Sequence, residues 1–387
     1  MTAIDEGTAY GMPAAESDPT LVEVEAGTPA GELLRRYWHP FALSSDATGT
    51  PRRVRILGED LILFRNGHGE AGLVHSRCCH RGTTLYYGKV EDDGIRCCYH
   101  GWLFAPDGRC LDMPVEVDRG RRRDRYRQPW YPVHEYHGLV FAYLGPPERK
   151  PAFPTYDVFD RVPDGYEIVA DDNNIGLEGP SAPCNWFQTH ENVMDPFHVF
   201  VLHSEFSGNQ FVAEMASLPD VSWHATDLGV KSYQDRVLDG GVRFHRVTEV
   251  VMPTLRIVAS PFVEEYGPAN NVSWTLPISR TETKILTLIV RPVGAPRIRA
   301  RYDGKTWDEL TDEEHRRLPG DYEAQVGQGA ITFHSHEHLA GSDKGVTMFR
   351  HLFRQQVEAV AAGADPIGVA FDDESAHYAV QAGNFLE

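Results

Sequence analysis

The sequence predicts an α+β fold in two parts: an N-terminal all-β domain, then a C-terminal domain of antiparallel sheet with helices. Three observations carry this. The chain has 387 residues, more than the size at which one hydrophobic core usually stops growing, so two domains are expected, each long enough to bury a core. Short extended runs broken by turn residues begin at Arg53. The stiff stretch Gly145-Pro146-Pro147, with Pro151 and Pro154, divides them from a second series of strands followed by helical patterns. These breaks place a flexible N-terminus over residues 1–26, a first domain over 27–148 and a second over 149–387.

Taken in order, Thr28 and Pro29 form the N-cap and first position of a short helix through Leu33, Leu34 and Tyr37. Val54 and Ile56, Leu61 to Phe64 and Gly72 to His75 alternate as strands, separated by Gly58-Glu59-Asp60 and Asn66-Gly67 turns. Gly138 to Leu144 is the last strand of the first domain. In the second, Val230–Val237, Val242–Val251, Leu255–Ser260, Asn271–Leu276 and Thr283–Val290 read as successive strands of one antiparallel sheet. Trp307–Arg317 and Gly345–Ala362 read as helices, the latter with Phe349, Leu352, Phe353, Val357 and Val360 on one face and Gly363 just past its end.

The formal charge is −19, from 37 basic and 56 acidic residues, which argues against nucleic acid or an anionic membrane as partner because both require a basic face. No run approaches the roughly 18 apolar residues of a membrane span, and the start has no basic segment leading into an apolar one, so a cytoplasmic location is expected. Four of the six cysteines form adjacent pairs beside histidines. Without an export signal, that clustering points to metal before disulfide.

Cys78-Cys79-His80-Arg81-Gly82 and Cys97-Cys98-Tyr99-His100-Gly101-Trp102 each supply a thiolate and an imidazole. Ligand types alone leave a structural zinc site and a two-iron cluster with mixed ligands equally open. The flanks, through Leu103-Phe104 and Asp107-Gly108-Arg109, resemble the Rieske domain, with Cys79 standing where that family usually has proline. The resemblance implies a 2Fe-2S cluster held by Cys78, His80, Cys97 and His100. The other four cysteines read as packed thiols.

A second constellation, Asn192-Val193-Met194-Asp195-Pro196-Phe197-His198 followed by His203, lies in the second domain. Two histidines five apart on a regular helix are rotated by about 140°, so they share a metal only if the helix is bulged or opens there. Asp195-Pro196 also reads as an N-cap with a first-turn proline. Position by position, Asn192, Asp195, His198 and His203 resemble the catalytic signature of the Rieske non-haem iron oxygenases, in the phthalate dioxygenase-like and aromatic O-demethylase branch. The resemblance implies a helix-grip catalytic domain and a mononuclear Fe(II) on His198 and His203, with catalytic roles for Asp195 and Asn192. A carboxylate completes such a triad; Asp343, Asp365 and Asp372-Asp373-Glu374 are candidates, and Asp343 is the expected ligand because its segment resembles the family's, although it equally suits a helix cap. His334, His336 and His338 alternate as on a solvent-facing strand.

By the same resemblance, the chain is expected to use O2 and electrons from NAD(P)H, passed by a separate reductase containing flavin and a 2Fe-2S centre, to hydroxylate or O-demethylate an aromatic substrate, carboxylated or not. A homotrimer follows, in which Asp195 contacts His198 of its own chain and the cluster ligand His100 of the next. The alternative is a Rieske electron carrier with an appended ligand-binding domain, which leaves the second constellation without a purpose. Arg243, Arg246, Arg256 and Arg291 lie in or beside the predicted sheet and could pair with a substrate carboxylate, although arginines scattered along strands usually form a solvated face.

Overall fold

The computed structural model describes residues 12–118, 120–172, 181–208, 210–261, 266–295, 305 and 309–387. Its first part is built from three small antiparallel sheets. Arg52–Ile56, Glu59–Arg65, Ala71–His75 and Trp130–Tyr131 form one; Lys89–Glu91, Gly94–Arg96, Leu103–Phe104 and Cys110–Asp112 form the second. The third joins Trp38–Leu43 to Leu139–Tyr143 and Val133–Tyr136. The cysteine and histidine loops project from the ends of the first two, where strands stop hydrogen-bonding each other.

The second part is dominated by a nine-stranded sheet. Its main path runs Tyr166–Asp171, Glu282–Pro292, Asn271–Ser279, Leu255–Val258, Arg243–Val251, Gly229–Val237 and Asp220–Ala225, with Gly383–Leu386 and Gly267–Pro268 attached at the side. The five strands expected from alternation lie here as consecutive antiparallel neighbours. The outer strands Tyr166–Asp171 and Asp220–Ala225, and the short Gly383–Leu386, lack a clear apolar alternation of their own and take their places by pairing with it.

Helix Lys344–Ala361 packs across this sheet and buries Val346, Phe349, Phe353 and Val357. Phe349 stacks on Phe187, and Phe353 meets Trp186, both from the short helix Trp186–Glu191 that leads into the histidine motif. Each such buried side chain contributes about 1.5–3 kcal/mol. Of the expected helix Trp307–Arg317, the helical part is Asp312–Arg317, begun by a Thr311/Glu314 capping box; Trp307 lies outside the described residues.

Two expectations are corrected. The N-terminal stretch is not flexible up to residue 26: Asp18 caps the turn Pro19–Val22, Leu21, Val22 and Val24 are buried, and Asn185 donates to the Val22 carbonyl at 2.8 Å. Residues 1–11 lie outside the described residues. The reason is visible at the other end of the chain, where Arg354 pairs with Asp18 at 2.8 Å and the Asp18 amide donates to His334 at 3.1 Å. His334–His336 is accordingly a 3-10 turn that straps down the N-terminal segment, not a solvent-facing strand.

The two parts share one continuous core. The Leu57 and Gly58 amides donate to the Pro277 and Ile278 carbonyls, and Phe141 packs edge-on against Trp274 with centroids 5.3 Å apart. Among the described residues no helix is long and apolar enough to cross a membrane.

Gly345 marks a close approach of the long helix to its neighbours. A Cβ there would collide with the Trp223 indole and the Met194 carbonyl, which the indole N–H already holds at 3.0 Å. Gly345→Ala is expected to destabilise the chain by about 1–3 kcal/mol, read as a lower urea midpoint at unchanged slope.

Candidate metal centres

The two loops of the first constellation have matching backbones. Cys78 N donates to Thr83 O at 2.8 Å while Gly82 N returns to Cys78 O at 2.9 Å; Cys97 N donates to Trp102 O at 2.8 Å while Gly101 N returns to Cys97 O at 3.1 Å. Gly82 and Gly101 take φ of +76° and +75°, which closes each loop and which a side chain disfavours. Cys78 and Cys97 are buried in one apolar cluster with Trp102, whose indole N–H has no protein partner. The His80 and His100 rings sit 4.6 Å apart at the exposed end, with His80 stacked on Trp102. Two buried sulfurs beneath two paired imidazoles are the donor set that an asymmetric two-iron cluster needs. Gln128 supports the first loop from behind, accepting from Cys79 N at 2.8 Å and donating to the His75 and Arg77 carbonyls at 2.9 Å.

In the second constellation, helix Trp186–Glu191 gives way to a 3-10 turn over Asn192–Met194, and Asp195 breaks the helical path. Phe197–Phe200 resumes it, and Val201–Phe206 is π-helical, with Ser207 N bonding back five residues to Leu202 O at 3.2 Å. A turn closed between residues five apart lets His198 and His203 face the same side.

Both Nε2 atoms converge on Asp321, at 3.4 Å from His198 and 3.3 Å from His203. Both Nδ1 atoms are occupied elsewhere. His203 Nδ1 meets Gln210 Oε1 at 2.6 Å; His198 Nδ1 meets the Asp195 carbonyl, with the Asp195 carboxylate at 3.7 Å. With Nδ1–H donating to these oxygens, each imidazole presents its Nε2 lone pair toward Asp321, the arrangement that orients histidine ligands to a metal. Two neutral imidazoles and one ionised carboxylate on one face suit a mononuclear iron and leave its other positions open.

A cavity of about 190 Å³ adjoins this triad. His198, Asp321, Asn192 and Asp195 line one side; Val193, Val199, Phe211 and Ile289 add apolar wall, and the sheet contributes polar groups including Arg246 and Arg256. The exposed-face reading of those arginines is corrected: strand register turns both inward.

A model of the Rieske [2Fe-2S] domain matches residues 37–131. Along nearly its whole length the chain is similar to the phenoxybenzoate dioxygenase subunit alpha of Ectopseudomonas oleovorans, 45% identical over 386 residues covering 98% of this chain and 94% of that one. The chain belongs to the Rieske non-haem iron oxygenase α subunits. It is also 32% identical to the 5,5'-dehydrodivanillate O-demethylase oxygenase subunit of Sphingobium sp. (strain NBRC 103272 / SYK-6), over 93% of this chain and 84% of that one. Among solved structures, Pseudomonas putida CBB5 NdmB shares the fold with a TM-score of 0.62 at 20% identity, over 89% of this chain and 95% of that one. The protein is thus the oxygenase subunit of a multicomponent Rieske system, an enzyme of class EC 1.14.

In this oxygenase the carboxylate that the structure brings to the two histidines is Asp321 and not the expected Asp343. Asp343 accepts from Ala340 N at 2.7 Å, closing the 3-10 turn Gly341–Asp343, and occupies the N-cap position of helix Lys344–Ala361 without a side-chain bond to that helix. Asp365 is taken by Arg36 and Arg149, and Asp372 accepts from Ser375 N at 2.8 Å. Asp321 opens the short helix Asp321–Gly327 after Pro319-Gly320, so in sequence it reads as an ordinary first-turn acid. Gln210 carries no sequence signal either. It binds His203 through Oε1 and donates through Nε2 to Pro319 O at 3.2 Å, tying the histidine arm to the carboxylate arm.

Asp321→Asn is expected to lower mononuclear iron affinity by about 10–100-fold while the cluster's visible spectrum persists. Asp343→Ala is expected to keep full iron content and to cost only about 0.5–2 kcal/mol in stability. Iron and acid-labile sulfide assays on the two variants separate the residues.

Proposed function

We propose that this oxygenase uses O2 and NAD(P)H-derived electrons, delivered by a separate flavin and 2Fe-2S reductase, to hydroxylate or O-demethylate an aromatic substrate. The observation that carries the reading is the convergence of His198, His203 and Asp321 beside the cavity. Relatives named for phenoxybenzoate, 5,5'-dehydrodivanillate and phthalate support an aromatic substrate. In the first domain, Cys78, His80, Cys97 and His100 would hold the Rieske cluster. When bound, the cluster supplies single electrons and the iron supplies dioxygen activation.

The chain's own residues do the rest. Gln210 and the Asp195 carbonyl keep the protons on Nδ1 of the two histidines, so that both Nε2 atoms remain available with Asp321. Val193, Val199, Phe211 and Ile289 pack against the substrate ring and exclude water. Asn192 lines the cavity, and its carbonyl accepts from Asp195 N at 3.1 Å, fixing the turn from which Asp195 projects.

Asp195 is partly exposed, and its carboxylate accepts from Phe197 N at 3.1 Å through one oxygen while the other faces His198. We assign it the bridge to His100 of the partner subunit in a cytoplasmic homotrimer, because a carboxylate can bond to two imidazoles at once. Asp195→Ala is expected to keep both metal centres loaded and to lose turnover about 100-fold, measured as substrate-dependent oxygen uptake; full activity would remove the bridge. An electron carrier is distinguished by its iron, which would equal rather than exceed acid-labile sulfide.

A further inference from the structure

One end of the cavity carries positive charge that no carboxylate among the described residues balances. Arg246, on strand Arg243–Val251, lines the cavity and is 4% exposed; Arg236, on the neighbouring strand Gly229–Val237, is 3% exposed. Arg246 donates to Asn384 Oδ1 at 2.7 Å and to the Ala259 carbonyl at 2.8 Å, both neutral. Arg236 donates through Nε to the Ser217 carbonyl at 2.9 Å, and both of its terminal nitrogens are buried without a partner. Among the described residues no carboxylate forms an ion pair with either. Burial lowers Arg236 to about 10; burial, then the charge of Arg236, lowers Arg246 to about 9. Buried charges are ordinarily paired, so this pair calls for an anion.

Arg256 differs. It also lines the cavity, and burial lowers it to about 10, but the Asp321 charge opposes that shift. Arg256 pairs in register with Val250, four residues along the strand from Arg246 and on the same face. At about 3.3 Å per residue the two rows lie about 13 Å apart. Arg256 therefore has a counter-charge in reach, whereas Arg246 has none among the described residues.

We propose that Arg246, backed by Arg236, binds a carboxylate of the substrate, so that the substrate is an elongated aryl carboxylate with its charged end remote from the triad. This rests on the reading that the cavity holds the organic substrate. A single ring is too short to span the two rows, whereas a two-ring acid reaches from one to the other. Guanidinium recognises carboxylate through paired N–H donors.

Calorimetric titration of the iron-loaded protein tests this with biphenyl-4-carboxylate, biphenyl-4-carboxamide, benzoate and inorganic phosphate. The carboxylate is expected to bind at least about 30-fold more tightly than each of the others, as charged hydrogen bonds warrant. Arg246→Gln should abolish the preference over carboxamide, Arg246→Lys should keep part of it, and Arg256→Gln should leave it standing. Arg236→Met should raise the Tm of the ligand-free protein by relieving repulsion, yet remove the Tm rise that the carboxylate produces in the parent. Equal binding of carboxamide, a preference that follows Arg256, phosphate binding as tight as the acid, or a lowered Tm for Arg236→Met would each overturn the proposal. Binding is read without turnover, so a carboxylate preference in a protein that consumes no oxygen with biphenyl-4-carboxylate when reductase and NADH are supplied would refute the reading of this cavity as the substrate site and leave the carboxylate site intact.

Discussion

The second site depends on one backbone irregularity, the π-helical turn Val201–Phe206. On a regular helix His198 and His203 would diverge by about 140°. With i to i+5 bonding they face the same way and can share the Asp321 carboxylate, which arrives from a helix 118 residues further along the chain. Everything else near the site holds this turn in place. Ser207 Oγ donates to the Pro319 carbonyl at 2.7 Å, and Gln210 reaches the same carbonyl, so the C-terminal end of the turn is pinned to the segment carrying Asp321.

The N-terminal side is held from the opposite direction. Arg350, on the long helix, makes a two-pronged bond at 2.7 Å to Glu191, the residue before Asn192, and also binds Glu337. All three groups are buried or nearly so, where such a pair is costly to break from one side. Gly345 on the same helix allows the close approach that locks Met194 and Trp223. The Asp195 turn is therefore braced by a helix whose apolar face was already committed to the core, a rigid setting of the kind that catalytic geometry needs.

Charge is distributed against the average. A chain with a net charge of −19 places three arginines facing inward from the sheet that floors its cavity. Overall acidity says only what the outer surface repels. The local imbalance inside the cavity governs which ligand is admitted, because charge is hardly screened there.

The sequence alone determined whatever is local. Ligands grouped within a few residues, such as Cys78 with His80 and Cys97 with His100, are legible because one loop must carry both. The same holds for the strands and for the long helix, whose periodicities declare which face is buried. The spacing of His198 and His203 even demanded a departure from regular helix. Only the tertiary structure decided which distant carboxylate joins them. Asp343 and Asp321 both begin helices, and nothing local distinguishes a capping acid from a ligand; the pairing is fixed by where the two helices pack. Likewise the inward turn of Arg246 and the anchoring of residues 18–24 depend on partners 138 and 316 positions away. Such contacts leave no mark on the residues around them, since their energy comes from the packing of elements that meet only once the chain has folded.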